Sequence, residues 1–163
     1  MVETLFCAAE EFNSDVIISY SDIIYTPSIV STLAESNCDV GVIIDRDWHR
    51  LWSLRMEDPL SDAETLEIDL QGNIREIGRK AVTYSDIEGQ FIGLIKFSKK
   101  FLIDLKAFYY SLDRNAVYEG RNFRNMFMTS FLQLLIDAGH AVKAVPIHGG
   151  WLEVDTYSDY LKY

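Results

Sequence analysis

Apolar residues recur at helical spacing from the start of the chain, at Val2, Leu5, Phe6, Ala9 and Phe12, and stop at Asn13. Residues 15–19 then read as a compact apolar strand, so the chain opens with a helix that feeds a strand. After Ile23-Ile24-Tyr25, Thr26 followed by Pro27 marks a helix start, and Ile29, Val30 and Leu33 form its inner stripe as far as Asn37. A second buried strand follows at 40–44. Two apolar strands joined by one helix make a βαβ unit, whose crossover calls for parallel strands covered on both faces.

The middle of the chain has a different period. Leu66, Ile68 and Leu70 alternate with Thr65, Glu67 and Asp69, and Gln71-Gly72-Asn73 turns the chain into 74–77, which predicts an antiparallel hairpin. A further strand at 90–97 leads through Ser98 as a cap into a helix carrying Phe101, Leu102, Leu105, Phe108 and Tyr109. A second helix is expected over about 122–138, with Gly139 as its left-handed cap, and the strand 142–147 comes next. Thr156 and Asp159 have the spacing of a capping box for a short terminal helix.

Between these last elements lies the segment with the most chemistry in it, Trp151-Leu152-Glu153-Val154-Asp155. On a strand, Trp151, Glu153 and Asp155 share one face, with the carboxylates ~7 Å apart, while Leu152 and Val154 point the other way, toward a core. At an effective dielectric of about 20 the two charges repel by roughly 2 kcal/mol. Full solvation relieves that repulsion, and so does a hard divalent cation held between them and other ligands.

The composition narrows the choice. At 163 residues, the chain has the length of one domain with a sizeable core. Its net charge of −10 gives it no general attraction to nucleic acid or anionic membranes. No apolar run reaches the roughly 18 residues of a membrane span, and Met1-Val2-Glu3-Thr4-Leu5 lacks the basic start of a signal peptide, which suggests a cytoplasmic protein. Cys7 and Cys38 are far apart and suggest neither a disulfide framework nor a zinc site.

Three further stretches carry candidate chemistry. Ser19-Tyr20-Ser21-Asp22 sits at the carboxyl end of the first strand, where ligands bind in open α/β sheets, although an aspartate there also closes its own turn. Residues 45–55 place Arg46, Arg50 and Arg55 beside Trp48 and Trp52. That patch suits a small anion such as a phosphate, and Trp48 and Trp52, four apart, equally suit packing on a helix face. Lys80, after Gly78-Arg79 at the end of the hairpin, is either a solvated turn residue or a cation that neutralises a phosphate.

In order along the chain, these pieces resemble the nucleotidyltransferases that join a nucleoside triphosphate to a phosphorylated sugar or to an alcohol phosphate such as phosphocholine. Residues 16–22 look like the strand whose terminal Asp holds magnesium in that family, and Ile77-Gly78-Arg79-Lys80 looks like its hairpin lysine motif. Phe91-Ile92-Gly93-Leu94 resembles the substrate-side strand, and 128–133, 142–146 and 151–156 are similar to the closing helix, strand and second metal-ligand segment. Trp151-Leu152-Glu153-Val154-Asp155-Thr156 looks more like the branch acting on phosphocholine or phosphonates, cytidylyltransferase-like, than like the Trp-x-Asp-x-Gly-Thr of many sugar nucleotidyltransferases.

The resemblance implies an α/β fold: a mixed, mainly parallel Rossmann-like sheet flanked by helices, with an inserted antiparallel hairpin. It also implies Mg2+ or Mn2+ on Asp22 with Glu153 or Asp155, and Lys80 on the incoming anion. Arg46, Arg50 and Arg55 are further anion candidates, Gly93 lies on the substrate-side strand, and Trp48, Trp52 or Trp151 would face a quaternary ammonium if the acceptor is choline phosphate. The partners implied are an NTP, CTP in the cytidylyltransferase-like branch, and a small phosphorylated acceptor. The family's opening strand and Gly-rich loop with its Arg, which grip the triphosphate, have no counterpart among the nine glycines here. Residues 1–163 are accordingly expected to be the C-terminal portion of a nucleotidyltransferase domain, a truncated nucleotide-diphospho-sugar transferase-like fold, inactive alone. The competing expectation is a non-catalytic binding or assembly module that forms a homodimer through an exposed sheet edge.

Overall fold

The computed structural model describes residues 1–163. Helix α1 (Val2–Cys7) leads to β1 (Val16–Ser19) and β2 (Ile23–Tyr25), then α2 (Pro27–Glu35), β3 (Val40–Asp45) and α3 (Trp48–Arg55). The hairpin β4 (Glu64–Ile68) and β5 (Ile74–Lys80) precedes β6 (Gln90–Phe97) and α4 (Leu102–Ser111). A small ribbon, β7 (Val117–Tyr118) and β8 (Arg121–Asn122), comes before α5 (Met128–Asp137), β9 (Val142–Ile147), β10 (Trp151–Glu153) and α6 (Tyr157–Lys162). No helix is long and apolar enough to cross a membrane.

The central sheet has the order β1-β6-β3-β9. β3 and β9 pair in parallel, while β6 pairs antiparallel with both β1 and β3, so β1, β3 and β9 all run one way. The α/β class and the mixed sheet with a dominant direction are as expected. The simple βαβ adjacency is not, because β6 is inserted between β1 and β3. The hydrophobic run of β6 reads the same in either direction, so its polarity was hidden in the pattern.

Both faces of the sheet are covered. Val40, Val42 and Ile44 of β3 face one apolar cluster, with Phe97, Leu105 and Phe131, whereas Ile43 faces the other, with Leu33, Trp48, Trp52 and Trp151. Gly93 of β6 has a φ of +87°, in the left-handed region, and the register with β3 shifts around it. A side chain at Gly93 would lie 2.5 Å from the Tyr20 ring.

The β4–β5 hairpin is closed by Asp69, whose carboxylate accepts from the amides of Gln71 (2.9 Å) and Asn73 (2.8 Å). Gln133 of α5 holds it down by accepting from Ile77 N at 2.9 Å. Two helix starts differ from expectation. Ser98 donates to Asp39 (2.6 Å) instead of capping, and α4 begins at Leu102. The helix expected from 122 begins at Met128, because the Asn122 side chain caps a separate short 3-10 turn and Met126 and Phe127 are extended. Gly139, at φ +90°, ends α5 as expected.

Candidate functional site

β10 does not extend the main sheet. It pairs antiparallel with β2, with Glu153 opposite Ile23 and Trp151 opposite Tyr25. The buried residue of the segment is Trp151, which sequence reading had not placed in the core; Leu152 is half-buried against the same apolar cluster, Glu153 and Val154 are half-buried, and Asp155 is exposed. The indole N–H of Trp151 donates to Asp45 (2.8 Å), which also accepts from Gly149 N and Asp47 N, both at 2.9 Å. This buried carboxylate fixes the end of β3, the start of α3 and the entry to β10 together, and so turns the face carrying Trp151 and Glu153 toward the protein.

Asp22 lies in the bend before β2, and its carbonyl accepts from Val154 N at 2.9 Å, which sets it beside Glu153 in the ribbon. Asp22 is exposed and Glu153 half-buried. Burial, together with the like charges of Asp155 and Asp22, holds the Glu153 carboxyl above its ordinary value even though Arg55 pulls the other way.

Arg55, at the end of α3, has a side chain only 3% exposed and meets three carboxylates: Glu153, Asp155 and, at 3.3 Å, Asp159. Asp159 is also the acceptor of the α6 capping box, bonded by Thr156 N at 2.9 Å. The expected box thus serves as one jaw of the clamp. Burial disfavours the Arg55 charge, but Glu153, Asp159 and Asp155 more than offset it and keep the guanidinium firmly protonated. Arg55 is therefore engaged by acids rather than open to a phosphate.

Tyr20 sits between this group and a pocket of about 230 Å3 lined by Tyr20, Trp52, Asp62, Glu64, Phe91 and Glu153, among others. Burial, and then Glu64, Asp22 and Glu153, push its hydroxyl well above the normal phenol range. Burial, and then Asp62 and Glu119, raise the Glu64 carboxyl from 4.5 to about 7. Gln90 grips the Glu64 backbone, accepting from its N–H at 3.0 Å.

The remaining sequence candidates are dispersed. Lys80 is exposed and directly opposite Glu64 in the hairpin register, and does not line the pocket. Arg46 is bound to Glu88. Arg50 and Trp151 line a separate cavity of about 670 Å3, with Asp47 and His148 paired at 3.2 Å. Trp48, Trp52 and Trp151 form a packed row with ring centroids 5.9 and 6.0 Å apart, all buried, so they serve as core rather than as an open cage; Trp52 also reaches the pocket wall. Gly93 acts through Tyr20, by leaving room for its ring.

Asp62 and Glu64 were not singled out from the sequence, and Tyr20 only as part of the stretch Ser19-Tyr20-Ser21-Asp22. The signal for Tyr20 was its place at the carboxyl end of the first strand, two residues before Asp22, whereas Asp62 and Glu64 precede the alternating part of their strand and carry none. For a metal, no group of three or more His, Cys, Asp or Glu side chains comes together. Mg2+ is commonly held by one or two carboxylates with substrate phosphates and water completing its shell, so the pair that could hold it here is Asp22 with Glu153 or Asp155, the latter two already bound by Arg55.

No protein-family model matches the chain. It is 47% identical over 165 residues to the CTP:phosphoglutamine cytidylyltransferase of Campylobacter jejuni subsp. jejuni serotype O:2 (strain ATCC 700819 / NCTC 11168), an alignment that takes in 98% of this chain and 65% of that protein. The chain therefore spans slightly less than two thirds of the length of this curated relative. Among solved structures, the inositol-1-phosphate CTP transferase from T. maritima superposes with a TM-score of 0.64 at 17% identity, over 97% of this chain and 56% of that one. A putative glucose-1-phosphate thymidylyltransferase from Bacillus anthracis gives 0.64 at 13% identity, over 99% and 60%. At such identities these two matches speak for the fold alone.

Proposed function

With the resemblance to nucleotidyltransferases now resting on both sequence and fold, we propose that this chain supplies the acceptor and metal side of a cytidylyltransferase that transfers CMP from CTP to a small phosphorylated acceptor, with phosphoglutamine as the first to test. The observation that carries the reading is the β2–β10 ribbon, which sets Asp22 beside Glu153 and Asp155 at one end of an α/β sheet. The reaction is in-line attack of an acceptor phosphate oxygen on the α-phosphorus of CTP, with pyrophosphate leaving and no covalent intermediate.

In this reading Asp22, with Glu153 or Asp155, would hold Mg2+, which when bound neutralises charge on the reacting phosphates. Arg55 fixes the rotamers of Glu153 and Asp155 and limits their repulsion, so it is a positioning residue. Lys80, exposed and opposite Glu64 in the hairpin, draws the acceptor phosphate.

The test has two parts. Calorimetry should detect weak Mn2+ binding by this chain, with Asp22→Asn and Glu153→Gln each weakening it several-fold; equal binding by the wild type and both variants removes the metal assignment. Joined to a segment that grips the triphosphate, the chain should release pyrophosphate from CTP and Mg2+ only when a phosphorylated acceptor is present. Release with other nucleoside triphosphates but not CTP would refute the cytidylyl assignment.

A further inference from the structure

Two of the acids proposed for the metal are already in use. Arg55 meets Glu153 and Asp155 together, and its own side chain is only 3% exposed, so little water screens the contact. A divalent cation on either acid has to share negative charge that the guanidinium already holds, and two cations brought against the same carboxylates repel each other. The guanidinium also has a second seat. Its carbon lies 5.8 Å from the centre of the Trp52 ring, within cation–π range, and Asp159 holds it at 3.3 Å on the side of α6. Arg55 can therefore give up Glu153 or Asp155 without being left unpaired in the interior.

Two further observations bear on that release. Trp52 is 5% exposed and lines the same pocket as Glu153 and Asp155, and its indole N–H has no hydrogen-bond partner in the protein. A buried donor without an acceptor costs stability, so the clamped arrangement is not the best these side chains can reach once oxygen ligands arrive with a metal. The third carboxylate on Arg55 leads to α6, a helix of six residues in which only Asp159 is buried, while Tyr157, Tyr160 and Leu161 are exposed. Polar contacts to the clamp hold it instead: Asp159 to the Arg55 side chain, Lys162 Nζ donating to the Arg55 carbonyl, and the Tyr163 hydroxyl donating to the Glu153 carbonyl at 2.9 Å. So short a helix is marginal by itself in water, and its docking lasts only as long as these contacts do.

We propose that Arg55 is an internal gate on the metal site: it stands on Glu153 and Asp155 in the resting protein, releases at least one of them when a divalent cation binds, and through Asp159 couples that release to the undocking of α6. This rests on the metal assignment above and adds its regulation. Arg55 positions the two acids only until the metal takes them over. Whatever fixes α6 against α3 then weakens metal binding, and metal binding loosens α6 by the same factor, because a coupling between two sites is reciprocal.

The experiment is calorimetry with Mn2+ on the whole chain, joined to hydrogen exchange read by mass spectrometry. Arg55→Met should bind Mn2+ about tenfold more tightly than the wild type, whereas Arg55→Lys, which keeps the charge, should stay within about threefold of it. Asp159→Asn, which loosens the guanidinium from the side of α6, should tighten binding about threefold and serves as the test if melting by circular dichroism shows that Arg55→Met is not folded. Saturating Mg2+ should speed exchange of the wild-type amides over 157–162 at least threefold and add nothing in Arg55→Met, where exchange is already fast. Mn2+ binding that depends on Asp22 and Glu153 but is equal or weaker in the folded variants overturns the gate and leaves the metal assignment standing. Exchange over 157–162 that Mg2+ slows or leaves unchanged in the wild type overturns the coupling to α6. Absence of Mn2+ binding by the wild type and every variant removes the metal assignment itself, and the gate with it.

Discussion

Replacing Arg55 with Met removes the one cation shared by Glu153, Asp155 and Asp159 and keeps most of the side-chain volume. Breaking a buried ion pair from one side typically costs about 3–5 kcal/mol, because the partner charge is left uncompensated. The lower end applies here: the Asp155 side chain is 47% exposed and Glu153 22%, so water takes over part of the role, whereas Asp159 at 8% cannot be rehydrated so easily. A loss of about 3 kcal/mol corresponds to a fall in Tm of roughly 6–12 °C for a chain of this size. The assay is thermal unfolding followed by circular dichroism at pH 8 and pH 5. The pH comparison carries the sign: in the variant the carboxylates repel when ionised, and Glu153, already held above its ordinary value, takes up a proton first as pH falls. The deficit should therefore shrink at pH 5. A drop under 2 °C, or one of the same size at both pH values, would refute the clamp as described.

Two more outcomes follow from the geometry around Tyr20. Glu64 binds its proton more tightly when folded, about 7 against 4.5, so the native state loses stability as pH rises from 4.5 to 7. The full shift is worth at most about 3 kcal/mol, and partial exposure reduces this to about 1–2. Glu64→Gln should therefore raise the urea midpoint at pH 8 and leave it nearly unchanged at pH 4.5; an equal change at both would show that the burial and like-charge argument is mistaken. Gly93→Ala places a methyl 2.5 Å from the Tyr20 ring at a φ of +87°, and should cost about 2–4 kcal/mol in urea unfolding. A loss below 0.5 kcal/mol would mean that the bulge relaxes freely.

How much of this was legible depended on whether the information was local. Thr156 and Asp159 signalled their capping box because both partners lie within one turn, and Gln71-Gly72-Asn73 signalled its hairpin for the same reason. The strand 90–97 was legible as a strand, but its place between β1 and β3 was not, since a fully buried strand has no polar side to give its direction. The carboxylates on β10 show the limit most clearly. Period two correctly places Trp151 and Glu153 on one face, but it says nothing of which face is inward. Hydropathy favoured burying Leu152 and Val154; the decision belongs to Asp45, 106 residues before Trp151, which offers the buried acceptor that the indole N–H needs. Once that bond turns the ribbon, Glu153 is half-buried, and Arg55 from α3 pairs with it and with the exposed Asp155. A burial that looks wrong by hydropathy is therefore the consequence of two polar contacts spanning about a hundred residues each, and such contacts are where a single sequence carries no periodic signal.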